Sequence, residues 1–258
     1  MLPPTPSPAS HMDQPKGPVT ARYKRVLLKL SGESLCEPGG FGVNGQELEQ
    51  IAHEIVEAHN TGAQLAIVVG GGNMIRGSKL AKEGHIHQAT ADYMGMLGTV
   101  VNGLALKEIL EKMGKPTRVL SALNLTSVAE TFIRNKAIRH LEKGRIVVFV
   151  AGTGNPFFTT DTAAALRATE IGAELVMKAT KVDGIYDKDP MKHADAVKFD
   201  HIDFKEALDR QLQVMDPAAF ILCMEHNIPI QVFNMKHKGH IAQVIQGEPH
   251  GTLVGKGR

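Results

Sequence analysis

The sequence predicts an α/β protein, a three-layer sandwich in which helices flank a mainly parallel central sheet. Three observations carry that expectation: short, nearly continuous apolar runs recur along the chain, segments of helical periodicity lie between them, and glycine-rich turns directly follow two of the runs. A chain of 258 residues with 43% apolar and 22% charged residues is long enough to bury a substantial core and is ordinary for a globular protein.

Residues 1–21 hold Pro3, Pro4, Pro6, Pro8, Pro15 and Pro18 with few apolar side chains. Such a segment cannot bury enough surface to offset its ordering entropy, so it is read as a disordered tail ahead of a single domain over residues 22–258. Val26 to Leu30 and Leu65 to Val69 then have the composition of strands covered on both faces. Arg145 to Val150, Leu175 to Lys178 and Ile228 to Phe233 look the same. Leu48, Ile51, Ala52, Ile55 and Val56 recur at helical spacing, and Ala163 to Ile171 and Ala218 to Met224 are helix-prone. Strand, helix, strand implies right-handed crossovers with helices on both faces. From Met94 to Leu110, the residues Met94, Leu97, Val101 and Leu104 form an apolar stripe that Met96, Val100 and Ala105 widen. Two readings stand for that helix: an interface between subunits, or a deeply buried core helix.

Composition also excludes function classes. Lys plus Arg (29) nearly balance Asp plus Glu (27), so no excess positive field argues for a nucleic-acid or membrane-surface partner. No apolar run approaches the roughly 18 residues of a membrane helix, and no basic region followed by an apolar core opens the chain. Cys36 and Cys223 are far apart and form no metal-ligand pair, which fits two thiols in a reducing cytoplasm. His85 with His87, and His237 with His240, lack neighbouring ligands at metal spacing and read as solvent-facing.

The chemistry concentrates in loops. Lys29-Leu30-Ser31-Gly32 and Gly70-Gly71-Gly72-Asn73 both follow buried strands, and in an open parallel sheet ligands gather at the carboxyl ends of strands. Glycine lets backbone N–H groups approach phosphate oxygens closely, so two such turns point to an anionic phosphate ligand. No G-x-x-x-x-G-K-[ST] sequence occurs, and no G-x-G-x-x-G opens a helix after the first strand. Lys29 and Arg76 have the reach to place cations beside phosphates. A third loop, Gly152 to Asp161, combines glycines, an amide, hydroxyls, paired phenylalanines and a carboxylate, a set suited to bonding and stacking on a flat heterocycle. Asp161 and Asp216 each precede a helix, and N-capping alone would account for either. Lys181 to Asp187, taken alone, reads as strand, Asp-Gly turn, strand.

Together, Lys29-Leu30-Ser31-Gly32-Glu33, the triple-glycine turn with Asn73, Asp92-Tyr93-Met94-Gly95-Met96-Leu97, Gly152 to Asp161, Lys178 to Gly184 and Val214-Met215-Asp216 resemble the bacterial uridylate (UMP) kinases of the amino acid kinase superfamily. The resemblance covers roughly residues 22–254. It implies an amino acid kinase-like fold and a cytoplasmic homohexamer that converts ATP and UMP to ADP and UDP with Mg²⁺. It also implies activation by GTP and inhibition by UTP. By the same resemblance Lys29, Leu30, Ser31, Gly32, Gly72 and Arg76 would contact the ATP phosphates, with Thr180, Tyr186 and Asp189 nearer its nucleoside. Gly71, Asp92, Thr153, Gly154, Asn155, Pro156, Phe157, Phe158, Thr159 and Thr160 would hold UMP. Lys29, Arg76, Asp161, Lys178 and Asp216 would be catalytic, the two aspartates positioning the lysines or the metal–phosphate cluster, with no protein ligand to the metal assigned. Glu37, Pro38, Gly39, Gly40, Phe41 and Gly42 match the loop associated with the GTP effect, Glu37-Pro38 being its variable flank. Rival readings are a sister kinase acting on a carboxylate or carbamate, and a nucleotide-binding regulator without turnover.

Overall fold

The computed structural model describes residues 21–75, 81–82, 84–212, 214–235 and 237–255. Of the expected tail over residues 1–21, residues 1–20 lie outside the described residues, as does the expected phosphate contact Arg76, whereas Ala21 packs against the core.

In chain order the elements begin with β1 (Arg25–Leu30), a 3₁₀ turn (Gly32–Leu35), α1 (Gly45–Asn60) and β2 (Gln64–Val69). There follow α2 (Gln88–Lys112), β3 (Thr117–Ser121), β4 (Glu130–Thr131), α3 (Arg134–Glu142), β5 (Ile146–Val150), α4 (Thr160–Ile171) and β6 (Leu175–Thr180). The chain closes with β7 (His201–Ile202), α5 (Phe204–Asp209), α6 (Pro217–Glu225), β8 (Ile230–Asn234), α7 (His240–Gln246) and β9 (Thr252–Val254). Among the described residues the strands form one sheet in the order β4-β3-β5-β2-β1-β6-β8-β9-β7, parallel throughout except for the antiparallel pair β8–β9.

Strand alternation sends neighbouring side chains to opposite faces. Val26, Leu28 and Leu30 pack with Ile51 and Ile55 of α1, Leu106 and Leu110 of α2, and Ile241 and Val244 of α7. Leu27, Ala66, Val68, Val147 and Phe149 pack on the other face with Leu141 of α3, Ala164 and Ala168 of α4, Ala207 of α5 and Phe220 of α6. Helices, sheet, helices is the three-layer arrangement expected. Burying the apolar side chains on both faces contributes roughly 25 cal/mol per Å² of apolar surface removed from water.

The order of strands places the site. β5 lies beside β2, whereas β6 lies beside β1 on its far side. To join β5 to β6, α4 must cross over β2 and β1, which puts its first turn above the carboxyl end of β1. That crossover is the topological switch point at which open α/β sheets bind ligands.

One expectation changes and one open choice is settled in part. Residues 181–187 do not form a hairpin; β6 ends at Thr180, and Tyr186 makes only an isolated antiparallel bridge to Lys198. Of the two readings left open for α2, the buried core helix holds in part: Met96 and Val100 are buried and Leu104 packs against the core, while Leu97 and Val101 face outward, 48% and 46% exposed. The sheet-facing side is built from Gly98, Thr99, Asn102, Gly103 and Leu106, all buried. The reason is clearance: a Cβ on Gly103 would stand 2.3 Å from Val150 Cγ1, and one on Gly71 would stand 2.5 Å from the carbonyl of Gly95. Small residues at these positions let α2 lie close to the strand ends, while Met96, Val100, Leu106 and Leu110 fill the core beside them and Leu97 and Val101 are left on the opposite side.

Candidate active site

The centre of the site is a carboxylate between two ammoniums. Lys29 and Lys178 are partners in the register of β1 and β6, on the face covered by α4. Two like charges on adjacent strands repel unless an anion lies between them. Asp161, in the first turn of α4, supplies it. Lys178 Nζ donates to Asp161 Oδ2 at 2.7 Å and to the carbonyl of Val214 at 2.6 Å. Lys29 Nζ forms an ion pair with Asp161 Oδ1 at 2.9 Å. All three side chains are largely buried, with 13%, 18% and 14% exposure for Lys29, Lys178 and Asp161. Burial pushes the Asp161 carboxyl up, yet Lys29 and Lys178 outweigh burial and hold it below the ordinary aspartate value.

Asp161 is therefore not the N-cap of α4. Thr159 takes that role: its Oγ1 accepts from the N–H groups of Asp161 (3.0 Å) and Thr162 (3.3 Å). Asp216 does cap its helix, Oδ1 accepting from Ala219 N–H at 3.0 Å with Pro217 at the first helical position. Its second oxygen accepts from the hydroxyls of Thr159 (2.5 Å) and Thr162 (2.9 Å), which ties the start of α6 to the start of α4. Cys223, in α6, has its thiol pushed up to about 12 by burial and then by Asp161 and Asp216, so it stays protonated and takes no nucleophilic part.

These carboxylates do not fit a directly bound metal ion. Both oxygens of Asp161 already face ammoniums, and those of Asp216 are taken by two hydroxyls and a backbone N–H. Among the described residues no group of three or more His, Cys, Asp or Glu is arranged to hold a metal.

The glycine turns close one side of the cleft. A Cβ on Gly32 would approach the carbonyl oxygen of Gly70 to 2.7 Å, so the two turns are in backbone contact. Around Gly72 there is open space where a side chain would be. Ser31 stands at the start of the 3₁₀ turn with its hydroxyl uncommitted to capping.

The third loop forms the opposite wall and is held in an unusual backbone conformation. Ala151 (φ 62°) and Phe157 (φ 71°) are left-handed without being glycine, and Gly152 (57°) and Gly154 (83°) share that region. Each non-glycine residue there costs about 1–2 kcal/mol, and it persists only when its surroundings impose it. α2 imposes both. Thr99 Oγ1 accepts from Ala151 N–H at 2.7 Å, and Asp92 Oδ2 accepts from Phe157 N–H at 2.7 Å. Asp92 Oδ1 accepts from Gln88 at 2.7 Å. Phe157 and Phe158 are 75% and 52% exposed, and Thr153 bonds only within the loop, to Asn155.

Farther along the carboxyl edge, Thr180 Oγ1 donates to the carbonyl of Val182 at 2.7 Å, and Asp189 Oδ1 accepts from Met191 N–H at 2.9 Å. That bond holds the exposed Asp189 carboxyl below its usual value. The structure brings Lys29, Asp161, Lys178, Asp216 and Thr159 into one connected group. Asp92 is joined to it through the loop from Phe157 to Thr159, while Asp189 and Tyr186 stand apart on the 181–200 segment. Sequence reasoning missed Thr99, Thr162 and Asn102. None belongs to a recognisable pattern; for Thr99 and Asn102 the signal was a polar residue inside an apolar helix, and Thr162 sits in a polar first turn that reads as helix start.

Comparison with known proteins shows the family and the fold. Residues 24–234 match the profile of the amino acid kinase family. The chain is 53% identical over 232 residues to a uridylate kinase of Xanthomonas oryzae pv. oryzae, covering 90% of this chain and 96% of that protein. Its structure resembles the UMP kinase from Bacillus anthracis, with a TM-score of 0.87, 38% identity, and coverage of 90% of this chain and 96% of that one. It also resembles the UMP kinase from Ureaplasma parvum, with a TM-score of 0.85, 37% identity, and coverage of 91% and 100%.

Proposed function

Since the chain belongs to the amino acid kinase family, and within it to the uridylate kinases, we propose that it transfers the γ-phosphoryl group of ATP to UMP, giving ADP and UDP. The observation that carries this reading is the lysine–aspartate–lysine cluster at the switch point, between the glycine turns and the Thr153–Thr160 loop. The nucleophile is a phosphate oxygen of UMP, largely deprotonated near neutral pH because the second phosphate pKa is about 6. No general base is needed, and none is offered: Asp161 and Asp216 are both committed.

Catalysis then consists of aligning two polyanions and neutralising their repulsion. Lys178 is anchored by two hydrogen bonds and fixes Asp161. Lys29 pairs with Asp161 through one of its three N–H donors, which leaves others to meet the transferring phosphoryl oxygens. Leu30, Ser31, Gly32, Gly72 and Arg76 are assigned to the ATP phosphates, and Thr180, Tyr186 and Asp189 to the nucleoside side. Mg²⁺ enters with ATP as part of the substrate, supplying charge neutralisation on its phosphates. UMP is assigned to Gly71, Asp92 and the 153–160 loop, whose exposed phenylalanines are placed to stack on uracil.

A homohexamer is supported by the outward apolar stripe of α2, which a neighbouring subunit would cover. GTP activation through the Glu37–Gly42 loop is supported by the hydrogen bond from Asn73, in the second glycine turn, to the Gly42 carbonyl. UTP inhibition is assigned to the UMP subsite, which its uridine would share. No described helix is long and apolar enough to cross a membrane, and a reaction that consumes ATP and UMP fits the cytoplasm.

Coupled measurement of ADP release with UMP, CMP, glutamate derivatives and carbamate tests the reaction. UMP is expected to be preferred, and preference for a non-nucleotide acceptor would overturn the assignment. The same assay with and without GTP tests the effector. Asp92→Ala is expected to raise the KM for UMP about tenfold or more, with the KM for ATP unchanged, because it removes both a UMP contact and the pin on Phe157. Equal shifts in both KM values would count against that division of the cleft.

A further inference from the structure

Asn102 lies in the middle of α2, fully buried, three residues beyond Thr99 on the same sheet-facing side. Its Nδ2 donates to the carbonyl of Gly70 at 2.7 Å and to Asn73 Oδ1 at 2.7 Å, and its Oδ1 accepts from Asn73 Nδ2 at 3.0 Å. The two side-chain amides thus pair face to face. Asn73, itself 2% exposed, reaches further: its Nδ2 donates to the carbonyl of Gly42 at 2.7 Å, and its own carbonyl accepts from Gly42 N–H at 2.9 Å. A Cβ on Gly32 would come to 2.4 Å from Asn73 Oδ1, so the first glycine turn rests against the same amide. One buried pair joins α2, both glycine turns and the end of the 37–42 loop.

A buried amide pair is costly unless every group is satisfied, and apolar side chains would fill the same space without that requirement. What the amides add is direction. In a trans peptide the carbonyl and the following N–H point opposite ways, so holding the Gly70 carbonyl toward α2 turns the Gly71 N–H away from α2. We infer that Asn102 is a positioning residue for phosphate binding. Through Gly70 it sets the peptide plane that carries the Gly71 N–H, and through Asn73 it transmits the position of the 37–42 loop to that plane. This rests on the reading of the glycine turns as phosphate sites, and it assigns the mechanical coupling within them.

The test uses the full chain and three variants: Asn102→Ala, Asn73→Ala, and Leu106→Val as a packing control one turn along the same face. Asn102→Ala is expected to lower turnover at saturating nucleotides about tenfold to a hundredfold, as misplacement of contacts by about 1 Å does, and to raise the KM for UMP, since Gly71 is among its assigned contacts. Hydrogen–deuterium exchange should rise together at residues 32–42 and 70–74 while β2 remains protected. Leu106→Val is expected to lower the melting temperature without either change. The inference is overturned if Asn102→Ala lowers the melting temperature but leaves turnover within about twofold of the parent, or if its exchange rises only within α2. Should Asn102→Ala fail to fold, Asn73→Ala carries the test, since it leaves the Gly70 bond in place. Faster exchange at residues 40–42 with reduced turnover would support the coupling, and parent-like values for both would refute it. If the parent shows no UMP-dependent ADP release, the assigned reaction fails, and the exchange pattern across the three segments still decides the role of Asn102.

Discussion

Replacing Lys29 with alanine is expected to lower turnover about a thousandfold while changing the KM for UMP little, because removing a preorganised cation from a transferring phosphoryl group costs between a hundredfold and a hundred-thousandfold. The side chain is held for this task by its neighbours. Asp161 draws the ammonium to 2.9 Å on one oxygen, and Lys178 bonds the other at 2.7 Å. Removal of Lys29 leaves Asp161 with its better partner, so the fold should survive. Steady-state kinetics of ADP release, with circular dichroism to verify folding, measure the effect. Unchanged turnover would remove Lys29 from the mechanism.

Asp161→Asn is expected to be the most destabilising conservative change in the cleft. The amide has the same shape but leaves two buried ammoniums facing each other across adjacent strands. Stranding buried charge in this way costs about 3–5 kcal/mol, a fall in melting temperature of about 10 °C for a chain of this size. Turnover should fall with it, since Lys29 is no longer held in place. The double variant Asp161→Asn with Lys178→Met should recover part of the stability and none of the turnover, because it relieves the repulsion without restoring the anion. The sign of the pH dependence follows from the depressed carboxyl. Its stabilisation is fully present above the ordinary aspartate value of 3.8 and is lost as pH falls through the lower value in the folded protein. The stability gap between parent and Asp161→Asn should therefore be constant near neutrality and narrow only below about pH 4. A gap that changes between pH 6 and 8 would show that another group is responsible.

Much of this architecture is legible in the chain. β1, β2, β5, β6 and β8 are buried on both faces, and their apolar runs mark them without ambiguity. β3 escapes notice because Arg118 interrupts it, and β9 because three residues make no pattern. α2 is visible as a helix, but its orientation is not. Hydrophobicity alone leaves open whether Leu97 and Val101 point in or out, whereas close approach to the sheet requires glycine, threonine and asparagine on the inner face. Asp161 and Asp216 look equivalent in sequence, each just ahead of a helix. Only the crossing of α4 over β1 shows that one of them meets two lysines and the other meets two threonines. The Asn73–Asn102 pair has no local signature, since neither residue indicates its partner across 29 positions.

The same crossover has a consequence for how the chain matures on the ribosome. Lys29 emerges early, Asp161 and Lys178 much later, and Val214 and Asp216 later still, so the charge cluster spans most of the chain. A nascent polypeptide that has completed β1, β2 and both glycine turns still lacks the anion that holds Lys29 and the carbonyl that anchors Lys178. Any phosphate captured by such a fragment would meet an unfinished centre, and ATP cleavage must await the final quarter of synthesis.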